Sequence, residues 1–187
     1  MAVIIPADLT VVTISGQSQR FDLTQASKLL NLASAIWQNR AGITFSRGVC
    51  ENATEEMPAG MRSDVVDDAG YHYLVSRYKA GRGVRVLFVD KTARDELGGQ
   101  SRWEKRVCFV KWDPAEANLS RMLAHELGHL LELEHPDDRK VVAPSEAEQK
   151  TFRNNLMYSG ALTPEAEITD AQKAKALGST LAKSFGG

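Results

Sequence analysis

The chain has 187 residues, 43% of them hydrophobic and 25% charged, a balance typical of one globular domain with a sizeable core. Its formal net charge is −1 and it has no basic stripe, which argues against nucleic acid as a partner. The longest apolar runs are far shorter than a membrane span, and the first residues lack the positive charge of a signal peptide. We therefore expect a secreted or exported protein, either after leader removal or by a route that needs no signal peptide, with the cytosol as the alternative.

The first half of the chain predicts several strands and one helix. The β-branched residues at 11–16 indicate a strand. Apolar residues at helical spacing then extend from Asp22 to Gly42, and Asp22 with Gln25 can form a capping box at the start of this helix. Further strands are predicted at 43–49, 84–90 and 106–112. Loops are predicted at 51–68 and 95–101, and the segment 71–78 fits either a strand or a short helix.

Two more helices are predicted in the second half. The first runs from Asn118, a good N-cap residue, to Leu131. The second starts at Thr169, where Gln172 completes a capping box, and ends before Ser184. The residues between them show little periodicity. Strands and helices in this order predict an α/β (α+β) fold, in which a sheet is layered on helices.

Several residues outside the main motif receive a structural interpretation. Cys50 and Cys108 are expected to be two small hydrophobic side chains rather than a bridged pair. His72 has no neighbours at metal-ligand spacing. The acidic segments 63–68 and 137–138 are expected to be solvated. A structural calcium ion there has no support, because the alternating ligand pattern of a calcium loop is missing.

Three of the four histidines lie within eleven residues, HELGHLLELEH at 125–135. His125 and His129 are four residues apart, so on a helix both imidazoles face the same way, one turn apart. Such a pair can supply two of the nitrogen ligands that zinc prefers. Glu126 lies about 100° further around the helix, where its carboxylate can flank the ion and deprotonate a zinc-bound water without being a ligand.

His135 is the expected third ligand. On a continuous helix it would lie about 9 Å further along the axis than His129 and off the shared face. The helix must therefore stop near residue 132, and the chain must fold back. In a second zinc hypothesis, the third ligand is Glu146 or Glu148, which leaves His135 without a role.

The positions of His125, Glu126, His129 and His135 resemble the HExxHxxGxxH signature of the metzincin zinc metallopeptidases. The segment NNLMYSG, with Met157, resembles the methionine-containing turn of that clan. Its Leu-Met-Tyr order is most similar to the matrixin branch, although Ser159 stands where matrixins usually have proline, and the segment 162–177 also resembles the turn and closing helix of bacterial matrixin-like proteins.

This resemblance implies a fold and an organisation. The fold would be a twisted, mostly parallel five-stranded sheet with an active-site helix, followed by a C-terminal subdomain that ends in a helix. The chain would be one catalytic domain, with an upper part at about 1–132 and a lower part at about 133–187.

The resemblance also implies a function, that of a zinc endopeptidase with Glu126 as general base. Met157 would form the floor of the zinc site, and Tyr158 would line the pocket or be a buried aromatic. We expect a protein or peptide substrate that lies extended along an edge strand, and a monomeric enzyme. The candidate residues of that edge are Gly98, Gly99, Gln100 and Ser101.

Glu132 departs from the signature, which has a glycine at this position. A left-handed conformation there would cost a non-glycine residue about 1–2 kcal/mol, which is tolerable within the usual stability of a domain. Three other classes remain open: a zinc-binding domain with an inactive site, a protease effector delivered into another cell, and a structural interaction domain. The presence of Glu126 argues against the first, and metal content separates the third from the others.

Overall fold

A five-stranded sheet forms the centre of the computed structural model, which describes residues 2–93, 98–136, 145–159 and 166–186. In chain order the strands are β1 (Val3–Ile14), β2 (Ile43–Glu55), β3 (Val84–Val89), β4 (Gly99–Arg102) and β5 (Val107–Lys111). They lie in the order β2-β1-β3-β5-β4, and every neighbouring pair is parallel except the antiparallel pair of β4 and β5. This confirms the expected α/β fold with a mostly parallel, five-stranded sheet.

The described ranges contain helices α1 (Leu23–Ala41), α2 (Asp68–Arg77), α3 (Glu116–Leu130), α4 (Glu146–Arg153), α5 (Asp170–Gly178) and α6 (Thr180–Lys183). A short 3₁₀ turn follows β4. The first long helix, α1, begins at the predicted capping box of Asp22 and Gln25 and ends at Gly42, whose φ of 70° is left-handed. The capping box of Thr169 and Gln172 likewise starts α5. Within these ranges no helix is both long enough and apolar enough to cross a membrane.

The two faces of the sheet bury different sets of residues. On one face, alternate residues of β1 from Val3 to Val11 pack in the larger core with α1 and α3. On the other face, Val12 and Ile14 belong to a smaller core that includes Tyr71 of α2. Since successive side chains of a strand point to opposite faces, the two cores share the same strands.

Trp37 joins the two helices of the larger core. Its side chain is 0% exposed, and its indole N–H donates a hydrogen bond of 2.8 Å to the carbonyl oxygen of Ala124 on α3. A buried indole N–H needs such an acceptor. This bond therefore fixes α3 against α1 directly beside His125.

Both predicted loops were wrong in part, because they contain strand residues. β2 continues through 51–55, where it pairs with β1 beyond a register shift between Ala7 and Leu9. It is an edge strand with few buried side chains in this stretch, so its residues lack an apolar pattern. The other loop contains the start of β4 at Gly99, whose partner is the following strand β5.

One ambiguous prediction is resolved, and two helix predictions need correction. The ambiguous segment 71–78 forms most of α2. Asn118 lies inside α3, which begins two residues earlier, with Ala115 as an N-cap that makes no side-chain cap bond. The last helix is broken at Ser179, whose extended conformation separates α5 from α6.

We expect Trp37→Phe to lower the free energy of unfolding by about 1–3 kcal/mol, because the substitution removes a buried hydrogen bond and leaves unfilled space in the core. Urea unfolding of the metal-free protein measures this loss. The matched control is Trp103→Phe, because Trp103 is 52% exposed. Equal unfolding midpoints for the two variants would contradict a special role of Trp37 in fixing α3.

Candidate metal centre

Three histidine rings converge at the C-terminal end of α3. The Nε2 atoms of His125 and His129 lie 3.1 Å apart, as their spacing of one helical turn predicts. The Nε2 atom of His135 lies 3.2 Å from that of His125 and 3.0 Å from that of His129. Among the described residues, these three form the one cluster of histidine, cysteine or acidic groups that could hold a metal ion.

The distances between these three nitrogens fit a shared cation. Two ligands at 2.0–2.1 Å from a tetrahedral zinc ion lie about 3.3–3.4 Å apart. The separations of 3.0–3.2 Å are close to that value. A neutral imidazole whose proton is on Nδ1 presents only a lone pair at Nε2. Three such lone pairs facing one point repel each other unless a cation lies between them.

Backbone carbonyls select the ring nitrogen that faces the centre. His125 Nδ1 lies 2.7 Å from the carbonyl oxygen of Leu156, and His129 Nδ1 lies 2.8 Å from that of Leu133. A carbonyl oxygen only accepts, so each Nδ1 must carry the proton and donate it. In the neutral ring the Nε2 atom then carries no proton and can bind a metal, which is the usual arrangement around metal-binding histidines.

The chain reverses directly after α3, as the convergence of His135 requires. Glu132 has a left-handed φ of 65°. Its N–H donates to the carbonyl oxygen of His129, and the N–H of Leu133 donates to that of Gly128, at 2.9 and 3.1 Å. These two bonds define a Schellman motif, in which the left-handed position usually holds glycine. The structure confirms that the helix ends here and that His135 comes within reach of the other two histidines.

Glu126 is buried beside the histidine cluster and is only 5% exposed. Ser101 of β4 donates from its hydroxyl to Glu126 Oε2 at 2.6 Å, and the same hydroxyl lies 2.9 Å from the Glu126 carbonyl oxygen. Burial raises the pKa of Glu126 to about 7, and the bond from Ser101 opposes this rise. A nearby cation would also favour the charged carboxylate and lower this pKa.

The expected substrate edge is the strand that covers Glu126. β4 is the last strand of the sheet and packs on α3. A Cβ atom on Gly99 would lie 2.7 Å from Glu126 Cγ and Oε1, and one on Gly98 would overlap the side chain of Met122. The two glycines therefore let the strand approach the helix. Gln100, between Gly99 and Ser101, points to the opposite face of the sheet.

The turn at 154–158 packs against α3 next to the histidine cluster. Met157 is completely buried, and its sulfur occupies the space that a Cβ atom on Gly128 would fill. Asn155 holds the turn through its side chain, which accepts from the Met157 N–H and is paired with the amide of Gln172. Tyr158 is half-buried, and its ring stacks on that of Phe152 at a centroid distance of 5.9 Å.

The remaining candidates lie outside the cluster. Glu146 and Glu148 belong to the first turn of α4, and Glu148 forms a capping box there with Ser145. No described acidic group forms a calcium site, and residues 137–138 lie outside the described ranges. His72 Nε2 is 2.8 Å from the Arg102 guanidinium, and His72 does not belong to the cluster of the other three histidines.

Two features of the site have little signal in the sequence. The interaction of Ser101 with Glu126 joins residues 25 positions apart, and the orienting groups of Leu133 and Leu156 are backbone carbonyls. A motif search detects neither. Cys50 and Cys108 are both free thiols, and burial raises the pKa of the Cys108 thiol.

Comparison with known proteins supports the fold. No protein-family model matches the sequence, and neither does any curated protein. The structure is similar to the crystal structure of archaemetzincin from Methanopyrus kandleri, with a TM-score of 0.56 and 16% sequence identity. The match covers 90% of this chain and 92% of that chain. The protein thus has a fold similar to that of archaemetzincin, and its three histidines could hold a metal ion.

We expect Gly128→Ala to destabilise the protein by about 1–3 kcal/mol, because the new methyl group displaces Met157 from a filled core. The control is Gly178→Ala at the end of α5, where a Cβ atom meets nothing within 4 Å. That substitution should be neutral or stabilise by up to about 1 kcal/mol through helix propensity. Urea unfolding of both variants tests the difference, and equal effects would exclude tight packing beneath the helix.

Proposed function

We propose that this protein is a zinc-dependent endopeptidase with a metzincin-type site. The observation that carries the proposal is the convergence of three histidine Nε2 atoms within 3.2 Å of one another, beside a buried carboxylate on the same helix. His125, His129 and His135 would be the ligands, which leaves a fourth position for water or substrate. The archaemetzincin-like fold supports a peptidase of this kind.

The chemistry of the donor set fits zinc better than magnesium or calcium. Three neutral imidazoles suit zinc, whereas magnesium and calcium prefer oxygen ligands. When bound, zinc acts as a Lewis acid that polarises a carbonyl group and acidifies water. The two carbonyl oxygens that orient His125 and His129 would also make these rings better ligands.

Glu126 would serve as general base and then as general acid. It would accept a proton from the water that attacks the peptide carbonyl, and would pass that proton to the leaving amine nitrogen. Burial raises the pKa of this carboxyl group and a bound cation would lower it, so the balance of the two would set the pH range in which the group serves both steps. Ser101 would hold the carboxylate in one orientation through its hydroxyl.

The substrate would be an extended peptide that pairs with the free edge of β4. The strand forms hydrogen bonds to β5 on one side, and within the part of the chain that the structure describes it ends the sheet on the other. A peptide bound there by strand addition would run past Gly99, where the lack of a side chain leaves space for Glu126. The matrixin-like part of the proposal gives Met157 the role of the floor beneath the zinc and gives Tyr158 a place in the substrate pocket.

The purified protein should contain one zinc ion per chain, and Glu126→Gln should retain the metal but lose cleavage of a diverse peptide library. Glutamine keeps the shape of glutamate but cannot act as a base. Elemental analysis and a digest with and without chelator measure the two properties. Wild-type cleavage by this variant would refute the role of Glu126.

The same experiment separates the alternatives. A wild-type protein that takes up no zinc would end the metal proposal. A protein that binds zinc tightly and cleaves no peptide in the library would instead favour an inactive zinc-binding domain.

We expect Ser101→Ala to shift the acidic limb of the pH profile of kcat/KM to higher pH. The Ser101 hydroxyl stabilises the charged carboxylate and so lowers the pKa of Glu126, and its removal must therefore raise that pKa. Zinc content should not change. Ser76→Ala is a suitable control, because the Ser76 hydroxyl bonds to the carbonyl oxygen of Tyr73 within α2. An unchanged acidic limb would exclude a role of Ser101 in tuning the base.

A further inference from the structure

The side chain of Glu132 connects the metal-site bend to the end of the chain. Its Oε1 atom accepts a hydrogen bond of 2.8 Å from the N–H of Thr180, the first residue of α6. The N–H groups of a first helical turn have no partner within their own helix. Glu132 supplies one from the bend 48 residues earlier in the chain.

The residues on both sides of Thr180 are buried or hydrogen-bonded. Ser179, just before α6, is 1% exposed, and its hydroxyl oxygen accepts from the Ala182 N–H while its proton is donated to the Ala176 carbonyl. Leu181 and Ala182 are buried in the larger core. The Thr180 N–H is therefore a fixed anchor, against which the bend can be held.

The backbone at residue 132 gives no reason for a glutamate. A left-handed residue in a Schellman motif is most easily glycine, and any other side chain adds conformational strain. The side chain must therefore be explained by its contact with Thr180. A second contact from the same bend, between Glu134 Oε1 and Lys175 Nζ at 3.5 Å, reaches α5, but both side chains are about half exposed and their interaction is weak.

We propose that Glu132 is a positioning residue, which clamps the bend to the C-terminal helices and so holds His135 and the Leu133 carbonyl in the ligating arrangement before metal binds. This inference rests on the proposed zinc site. If the bend samples other conformations, the apparent zinc affinity falls in proportion to the time spent away from the ligating one. The clamp restricts backbone motion that a glycine at residue 132 would allow.

The first test removes the acceptor. Zinc affinity of the metal-free protein is measured by competition with a chromophoric chelator for wild type, Glu132→Gly and Glu132→Gln. We expect Glu132→Gly to bind zinc roughly fivefold more weakly, the effect of losing one helix-terminal hydrogen bond of ordinary strength. Glu132→Gln retains an oxygen acceptor and should restore affinity to within about twofold of wild type.

The matched backbone control is Arg106→Gly. Arg106 is the other described non-glycine residue with a positive φ, 56°, and it lies after β4 rather than in the bend. It therefore undergoes the same change from a strained side chain to a free glycine. Its zinc affinity should equal that of wild type, which separates loss of the clamp from the general effect of a new glycine.

The second test removes the donor and leaves the bend untouched. Thr180→Pro deletes the N–H at the first position of α6, where proline is well tolerated, and Ser179 already has the extended conformation that a following proline requires. Thr180→Ala retains the N–H and serves as control. Thr180→Pro should weaken zinc binding about as much as Glu132→Gly, and the double variant should lose no more than either single variant.

The outcomes are distinct. Wild-type zinc affinity in both Glu132→Gly and Thr180→Pro overturns the clamp while leaving the zinc site intact. Equal losses of stability in the metal-free and zinc-loaded forms, with unchanged affinity, show a purely structural bond and also overturn it. A wild-type protein that binds no zinc refutes the proposed function itself, and this result is read from the wild type alone.

Discussion

The candidate metal centre depends on the left-handed bend at residue 132. Two histidines one helical turn apart present only half of a tetrahedral site, and the third nitrogen must come from chain that no longer follows the helix axis. The Schellman bonds that end α3 use the carbonyl oxygens of Gly128 and His129, so the reversal begins within the site itself. The same bend then aims the Leu133 carbonyl at His129 and brings His135 back to the other two rings.

Segments that are distant in sequence contact α3 near the three histidines, and each of these contacts uses a backbone carbonyl group. The Leu156 carbonyl orients His125, and the turn that presents it is held by the side chain of Asn155. From the other direction, the buried indole of Trp37 fixes the helix next to His125. Backbone carbonyls and core packing therefore fix His125 and His129, which lie on α3, whereas His135 lies in the bend that follows this helix.

Sequence reasoning succeeded where the determining interactions are local. The histidine spacing and the capping boxes of α1 and α5 depend on residues three or four positions apart, which a pattern can reveal. It failed where pairing is long-range, since β4 and the end of β2 are strands only because β5 and β1 lie beside them. For the same reason the role of Ser101 and the partner of Glu132 could not be anticipated, and Asn118 shows that a favourable cap residue does not by itself set a helix start.

The geometry of β4 explains why one short strand can shape both the surroundings of Glu126 and the proposed substrate edge. Alternate residues of a strand share a face, so Gly99 and Ser101 both point towards α3. The first has no side chain and leaves space for the Glu126 carboxylate, and the second donates to that carboxylate. Among the described residues, the backbone of the same strand forms the edge of the sheet. A peptide added there would lie in register with the strand that contacts the Glu126 carboxylate, so the proposed substrate alignment and the orientation of this carboxylate would depend on a single element.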